Sequence, residues 1–164
     1  MSETISVSVQ VVCDAGDLPS KVTLGRWPLA VVQHLALQFD RRREITVRIV
    51  DANESQQLNK QFRNRDQPTN VLSFPLNENR GAPPGTEMPL GDLVLCAPLI
   101  TSEASAQMKD VGDHWAHLLV HGTLHLLGYD HEVDSDAEQM EALEVAILAN
   151  HGIENPYIQR ESAG

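Results

Sequence analysis

At 164 residues and 18.1 kDa the chain has the size of one globular domain, long enough to bury roughly two thirds of its unfolded surface. Hydrophobic residues make up 41% and charged residues 21%, with only ten Gly and nine Pro, which excludes a disordered, collagen-like or low-complexity protein. Twelve Lys and Arg against 23 Asp and Glu give a formal net charge of -11, which argues against a protein that holds nucleic acid by bulk electrostatics.

Taken in chain order, Ile5 to Cys13 alternates in polarity and is rich in valine, as a strand with one buried face requires. Pro28 suits the first turn of a helix running to about Phe39, with Leu29, Val32, Leu35, Ala36 and Phe39 at helical spacing. Glu44 to Val50 is β-branched and alternating, a second strand. Asp51 or Asn53 caps a helix through about Phe62, with Leu58 and Phe62 on its inner side. Asn64 to Asn70 reads as a loop, Val71 to Phe74 as a third strand, and Asn77 to Pro89 as an exposed connection. Gly91 to Ala97 is a fourth strand. A weakly helical segment follows Pro98, then a strong helix from about Val111 to Leu127 and a last helix from about Ser135 to Asn150 that opens with acidic residues.

No repeat or linker divides the chain, so the expected fold is one α+β (α/β layered) domain over residues 1–164. About four strands and about five helices compose it, with 155–164 a loose tail. Cys13 and Cys96 lie far apart in apolar stretches and read as buried free thiols. The first residues lack a basic segment followed by an apolar one, and no stretch approaches a membrane span, so a cytoplasmic protein is expected.

Five of the seven histidines fall between His114 and His131. On a helix His121 and His125 are about 40° apart around the axis and one turn apart along it, so they can point at one spot. Gly128 is placed to end the helix in a left-handed cap, which would return His131 to the same spot. H-x-x-x-H-x-x-G-x-x-H thus offers three imidazoles and an open position, the pattern of a catalytic divalent metal rather than a structural zinc. His117 and His121 are also four apart, but the helix rises about 16 Å from His114 to His125, too far for one ion. Gly128 and His131 select the downstream pair, leaving His114 and His117 to face substrate, to pack or to give a supporting hydrogen bond, with the last two favoured. Metzincin peptidases share the spacing, but their general-base glutamate follows the first histidine, where this chain has Gly122.

The segment His121-Gly122-Thr123-Leu124-His125-Leu126-Leu127-Gly128-Tyr129-Asp130-His131 resembles the signature of the YbeY family of single-strand-specific, metal-dependent endoribonucleases, which act in ribosomal RNA maturation. Phe62 through Phe74, with Pro68-Thr69-Asn70-Val71-Leu72-Ser73-Phe74 at its end, and Leu90-Gly91-Asp92-Leu93-Val94-Leu95-Cys96 resemble two further stretches of that family. Residue 70 is Asn where many members carry Asp. The resemblance implies a mixed sheet with helices packed on it and a zincin-like metal helix. It further implies one divalent ion, described as zinc, on His121, His125 and His131, with Arg63 as the active-site arginine. It also implies single-stranded ribosomal RNA as substrate, in 16S rRNA 3′ end processing and rRNA quality control, with ribosomal proteins or assembly factors as partners.

RNA cleavage needs a nucleophile at phosphorus and relief of phosphoryl charge, which a three-histidine metal site with a bound water and the planar fork of Arg63 would supply. Catalysis is therefore assigned to His121 and Arg63. Residues 41–65 hold seven basic residues against three acidic, a local net of +4 that leaves -15 for the remainder. From this zone Arg41, Arg42, Arg43, Lys60, Arg63 and Arg65 are candidate RNA contacts, and Phe62 or Tyr129 could stack on bases. Asp130 to Glu144 carries seven acids without a Lys or Arg, expected to form mainly the solvent face of the last helix. A zincin-like metallopeptidase or other hydrolase and a ribosome-associated binding protein with a structural metal are the competing readings.

Overall fold

The computed structural model describes residues 5–13, 16, 18–39, 42–75, 88–129 and 134–157. Strands β1 (Ile5–Val11), β2 (Arg43–Val50), β3 (Val71–Pro75) and β4 (Met88–Cys96) form one mixed sheet in the order β1-β2-β4-β3. β1, β2 and β4 run parallel, and β3 lies antiparallel on the β4 edge. Among the described residues five helices accompany them: α1 (Lys21–His34), α2 (Ala52–Arg63), α3 (Ala97–Ala106), α4 (Val111–Leu126) and α5 (Asp134–Ala149). The expected α+β domain with a mixed four-stranded sheet and five helices is what the chain builds.

Strand periodicity divides the core. Ile45, Val47, Ile49, Leu93 and Leu95 occupy alternate positions and join the large cluster that includes Trp27 and Val31 of α1 and Trp115 and Leu119 of α4. Val50, Leu72 and Val94, on the other face, pack with Leu58 of α2. Thus α4 lies against one face of the sheet while α2 covers the opposite one, and both reach β3.

The first helix departs from expectation. It starts at Lys21 rather than near Pro28, because the Ser20 hydroxyl accepts from the Thr23 N–H at 3.1 Å and caps it there. Pro28 sits buried inside the helix, which ends at His34, and Ala36 turns the chain with φ 53°. β4 also begins earlier than read, at Met88, by pairing with Arg43. Part of the stretch expected to be a loose tail is docked: Gly152 (φ 80°) reverses the chain after α5, and Tyr157 is held by hydrogen bonds described below. Residues 158–164 and the connection 76–87 lie outside the described residues. No described helix is long and apolar enough to cross a membrane.

Candidate active site

Helix α4 is fixed at both ends. Asp110 caps its start, accepting from Asp113 N–H at 3.1 Å. Gly128, with φ 99°, closes its end as the sequence predicts. Tyr129 N–H donates to Leu124 C=O and Gly128 N–H to His125 C=O, both at 3.0 Å, in a Schellman arrangement. The rings of His121 and His125 stand edge to face with centroids 4.7 Å apart. His131 and Asp130 lie outside the described residues, so the third imidazole remains an expectation.

Arg63 arrives from the other face of the sheet. Its helix ends there because Asn64 takes the left-handed conformation, φ 61°. The loop that follows is pinned by two buried side chains of α2: the Ser55 hydroxyl donates to Thr69 C=O at 2.8 Å, and the Asn59 amide donates to Gln67 C=O at 2.8 Å. Arg63 donates to Ser73 C=O at 2.8 Å and lies over the Phe74 ring, 5.5 Å from its centroid. The Ser73 hydroxyl in turn donates to Gly122 C=O on α4 at 3.0 Å. One residue of β3 therefore sets the distance between the arginine and the histidine helix.

Gly122 makes that approach feasible. A Cβ there would stand 2.9 Å from Leu93 Cδ2, 3.2 Å from Val71 Cγ2 and 3.3 Å from Ser73 Oγ. A peptidase-type glutamate has no room at this position.

These elements wall a groove of about 1020 Å³, lined among others by Arg63, Arg65, His117, His121, His125, Tyr129 and Tyr157. A second hollow of about 600 Å³ shares Asn70, His117, Leu118 and Tyr157 with it and extends past Glu103 to Lys109. Of the candidate RNA contacts, Arg63 and Arg65 line the groove. Lys60, Arg42 and Arg43 do not: Lys60 lies 3.9 Å from Asp66, and Arg43 donates to Pro89 C=O and stacks over Phe39 at the far end of β2. Arg41 is outside the described residues. Phe62 is half exposed, edge-on to Phe74, and Tyr129 is on the groove wall.

The most constrained group near the histidines belongs to the acid-rich stretch expected to lie mainly on the solvent face of the last helix. Glu144 of α5 is fully buried. Its Oε1 accepts from His117 Nε2 at 2.8 Å and His121 Nδ1 at 3.1 Å, and the Tyr157 hydroxyl donates across both oxygens at 2.9 and 3.0 Å. Burial pushes this carboxyl up, but the hydrogen bonds from His117 and His121, and the positive charge these rings carry when protonated, outweigh it and bring it down to about 2. Burial and the adjoining Glu144 carboxylate push the Tyr157 hydroxyl well above its ordinary value. A signal for Glu144 existed in the sequence: it falls on the stripe of Met140, Ile147 and Leu148, an acid at an apolar position.

His114 is buried and pairs through Nε2 with Glu103 at 3.0 Å, while Glu103 also accepts from the Asn70 amide at 3.0 Å. Burial lowers the His114 pKa against the raising effect of Glu103. His114 is thus held in the core by Glu103, while His117 contacts Glu144 and also lines the groove.

His117, His121 and Glu144 bring one potential ligand atom each within 4.8 Å of one another and could hold a metal ion. The donor chemistry suits a metal in another way as well. A carboxylate only accepts, so the neutral His121 ring carries its proton on Nδ1 and its lone pair on Nε2, the state a metal-ligating imidazole needs. The residues present fit a divalent ion.

A sheet-backed cleft that combines paired histidines, a clamped arginine and a buried carboxylate holds the parts that hydrolytic chemistry uses. The sequence profile described as endoribonuclease YbeY matches residues 20–152, and the chain belongs to the YbeY endoribonuclease family. It is an enzyme that cleaves RNA, with a role in ribosomal RNA processing. The fold also matches the solution structure of TM1509 from Thermotoga maritima. The TM-score is 0.55 at 22% identity, over 97% of this chain and 99% of that one.

Proposed function

We propose that this chain is a single-strand-specific, metal-dependent endoribonuclease acting in 16S rRNA 3′ end processing and rRNA quality control in the cytoplasm. Zinc is the proposed ion, held by His121, His125 and His131. The observation that carries this reading is the groove in which His121 and His125 of α4 face the same space as Arg63 and Arg65.

When bound, the ion supplies Lewis acidity at the phosphoryl group. Arg63, with one N–H committed to Ser73 C=O, presents the rest of its fork to a phosphate oxygen, and stacking on Phe74 keeps the fork in place. Arg65 holds a neighbouring phosphate. A single strand can turn its bases, which a duplex keeps stacked inside itself, onto exposed Phe62 or the partly buried Tyr129 of the groove wall. Ribosomal proteins or assembly factors are the proposed partners, delivering RNA to an enzyme whose overall charge disfavours general nucleic-acid binding.

The test is cleavage of single-stranded and duplex RNA by purified protein of known metal content. Single strands are cut, duplexes are spared, and chelator, His121→Ala and Arg63→Ala each abolish cutting. Intact single-stranded RNA after incubation with folded, zinc-loaded protein refutes the proposal.

A further inference from the structure

We infer that Glu144 and Tyr157 are positioning residues. Glu144 fixes the tautomer and orientation of His121 from behind, and Tyr157, carried back by the turn after α5, clamps Glu144. The inference rests on the reading of His121 as a metal ligand given above, and it assigns Glu144 a hydrogen-bonding role rather than a place on the ion.

Glu144 has no exposure to water, so every acceptor position it offers must be met from within the protein. Three donors meet it: His117 Nε2, His121 Nδ1 and the Tyr157 hydroxyl. The two imidazoles are thereby set in opposite tautomers. His121 has its proton on Nδ1 and its lone pair on Nε2, whereas His117 has its proton on Nε2. The His117 lone pair then falls on Nδ1, which is buried and has no hydrogen-bond partner among the described residues. His117 is therefore configured as a donor to Glu144, and of the two rings His121 alone offers Nε2 to an ion. A buried carboxylate behind a metal-ligating histidine raises its basicity and holds its ring plane.

Tyr157 completes the arrangement. Asn155 Oδ1 accepts the Tyr157 N–H at 2.8 Å and turns the segment inward, and the Tyr157 ring stands edge-on to His117 with centroids 5.2 Å apart. Its hydroxyl spans both carboxylate oxygens, so the carboxylate cannot rotate away from the imidazoles without losing that bond.

The experiment uses the full chain. Long-range 1H–15N spectra of the metal-free protein read each histidine tautomer directly, and competition against a chromogenic chelator reads zinc affinity. Wild type shows His121 as the Nδ1–H and His117 as the Nε2–H tautomer. Glu144→Gln mixes the His121 tautomers and weakens zinc binding about 10–100-fold. Tyr157→Phe, which removes one donor at the edge and leaves the core filled, keeps the tautomers and weakens zinc less than tenfold. His117→Ala keeps zinc within tenfold. An Nε2–H tautomer for His121 in wild type, or Glu144→Gln binding zinc as tightly as wild type, overturns the inference while the metal reading stands. Loss of zinc in His117→Ala as large as in His121→Ala makes Glu144 and His117 ligands and overturns it too. Unchanged zinc affinity in His121→Ala overturns the metal reading itself, and the inference with it.

Discussion

Gly122→Ala is a stringent test of how the histidine helix is seated. The added Cβ would lie 2.9 Å from Leu93 Cδ2, where carbon atoms normally approach to about 3.5–4.0 Å, so something must move by roughly 0.6–1 Å. All three contacts are side-chain ends, but Leu93 is wholly buried in the central cluster, so its methyl can yield only by displacing packed neighbours, while Val71 and Ser73 close the other sides at 3.2 and 3.3 Å. Overpacking of this kind costs about 1–3 kcal/mol. Lifting α4 stretches the hydrogen bond from the Ser73 hydroxyl to Gly122 C=O, worth about 1 kcal/mol. Alanine returns about 1 kcal/mol in helix propensity. The expected net destabilisation is about 1–3 kcal/mol, which for a urea m-value near 2 kcal/mol/M lowers the unfolding midpoint by roughly 0.5–1.5 M. RNA cleavage should fall further than the unfolded fraction explains, because the shift changes the spacing between Arg63 and His121. A midpoint equal to or above wild type would show that α4 is not pressed onto β3 and β4 and would refute the reasoning.

Three other outcomes are expected. Gly91→Ala costs about 3 kcal/mol or more and shows as a large drop in melting temperature, since its Cβ would meet the Phe74 carbonyl at 2.7 Å in the strand paired with it. Arg63→Lys keeps the charge but not the fork; kcat should fall about 10–100-fold, the equivalent of one charge-assisted hydrogen bond, with an unchanged circular dichroism spectrum. The folded-state pKa of Glu144, about 2, lies below its ordinary 4.5, so the stability it contributes is complete above about pH 4.5 and is lost as pH falls towards 2. That contribution is on the order of 3 kcal/mol, and urea unfolding at pH 6 and pH 3 should show a loss that Glu144→Gln lacks.

Features with a short-range cause were legible in the sequence. The cap at Gly128 and the one-turn spacing of His121 and His125 are local geometry, and both appear as read. The start of α1 was not, because Pro28 is a strong sign of a first turn while the Ser20 cap is a weak one, and burial of Trp27 and Leu24 carries the helix through the proline. Glu144 was hidden by its company. Six other acids share Asp130 to Glu144 with it, and although Glu144 falls on the apolar stripe of α5, its two histidine partners follow only from the packing of α5 against α4. Tyr157 was beyond any local rule, since it meets its partners only after Gly152 has reversed the chain.

Charge shows most clearly why position outranks composition in this protein. The sequence concentrates seven basic residues between positions 41 and 65, which suggests a broad track for a phosphate backbone. Arg48, however, is locked to Glu54 at 2.6 Å, Lys60 lies beside Asp66, and Arg43 is engaged at the opposite end of β2. The pairs with Glu54 and Asp66 offset their own partners' charge, so little long-range field survives a Debye length of about 8 Å. The described residues leave Arg63 and Arg65 on the groove wall, fixed by the end of α2 and the loop that Ser55 and Asn59 hold down. Two cations held beside a histidine helix can orient one phosphodiester, but they cannot retain a long polyanion on a chain of net charge -11. Discrimination therefore rests on what fits the groove rather than on general attraction to a polyanion.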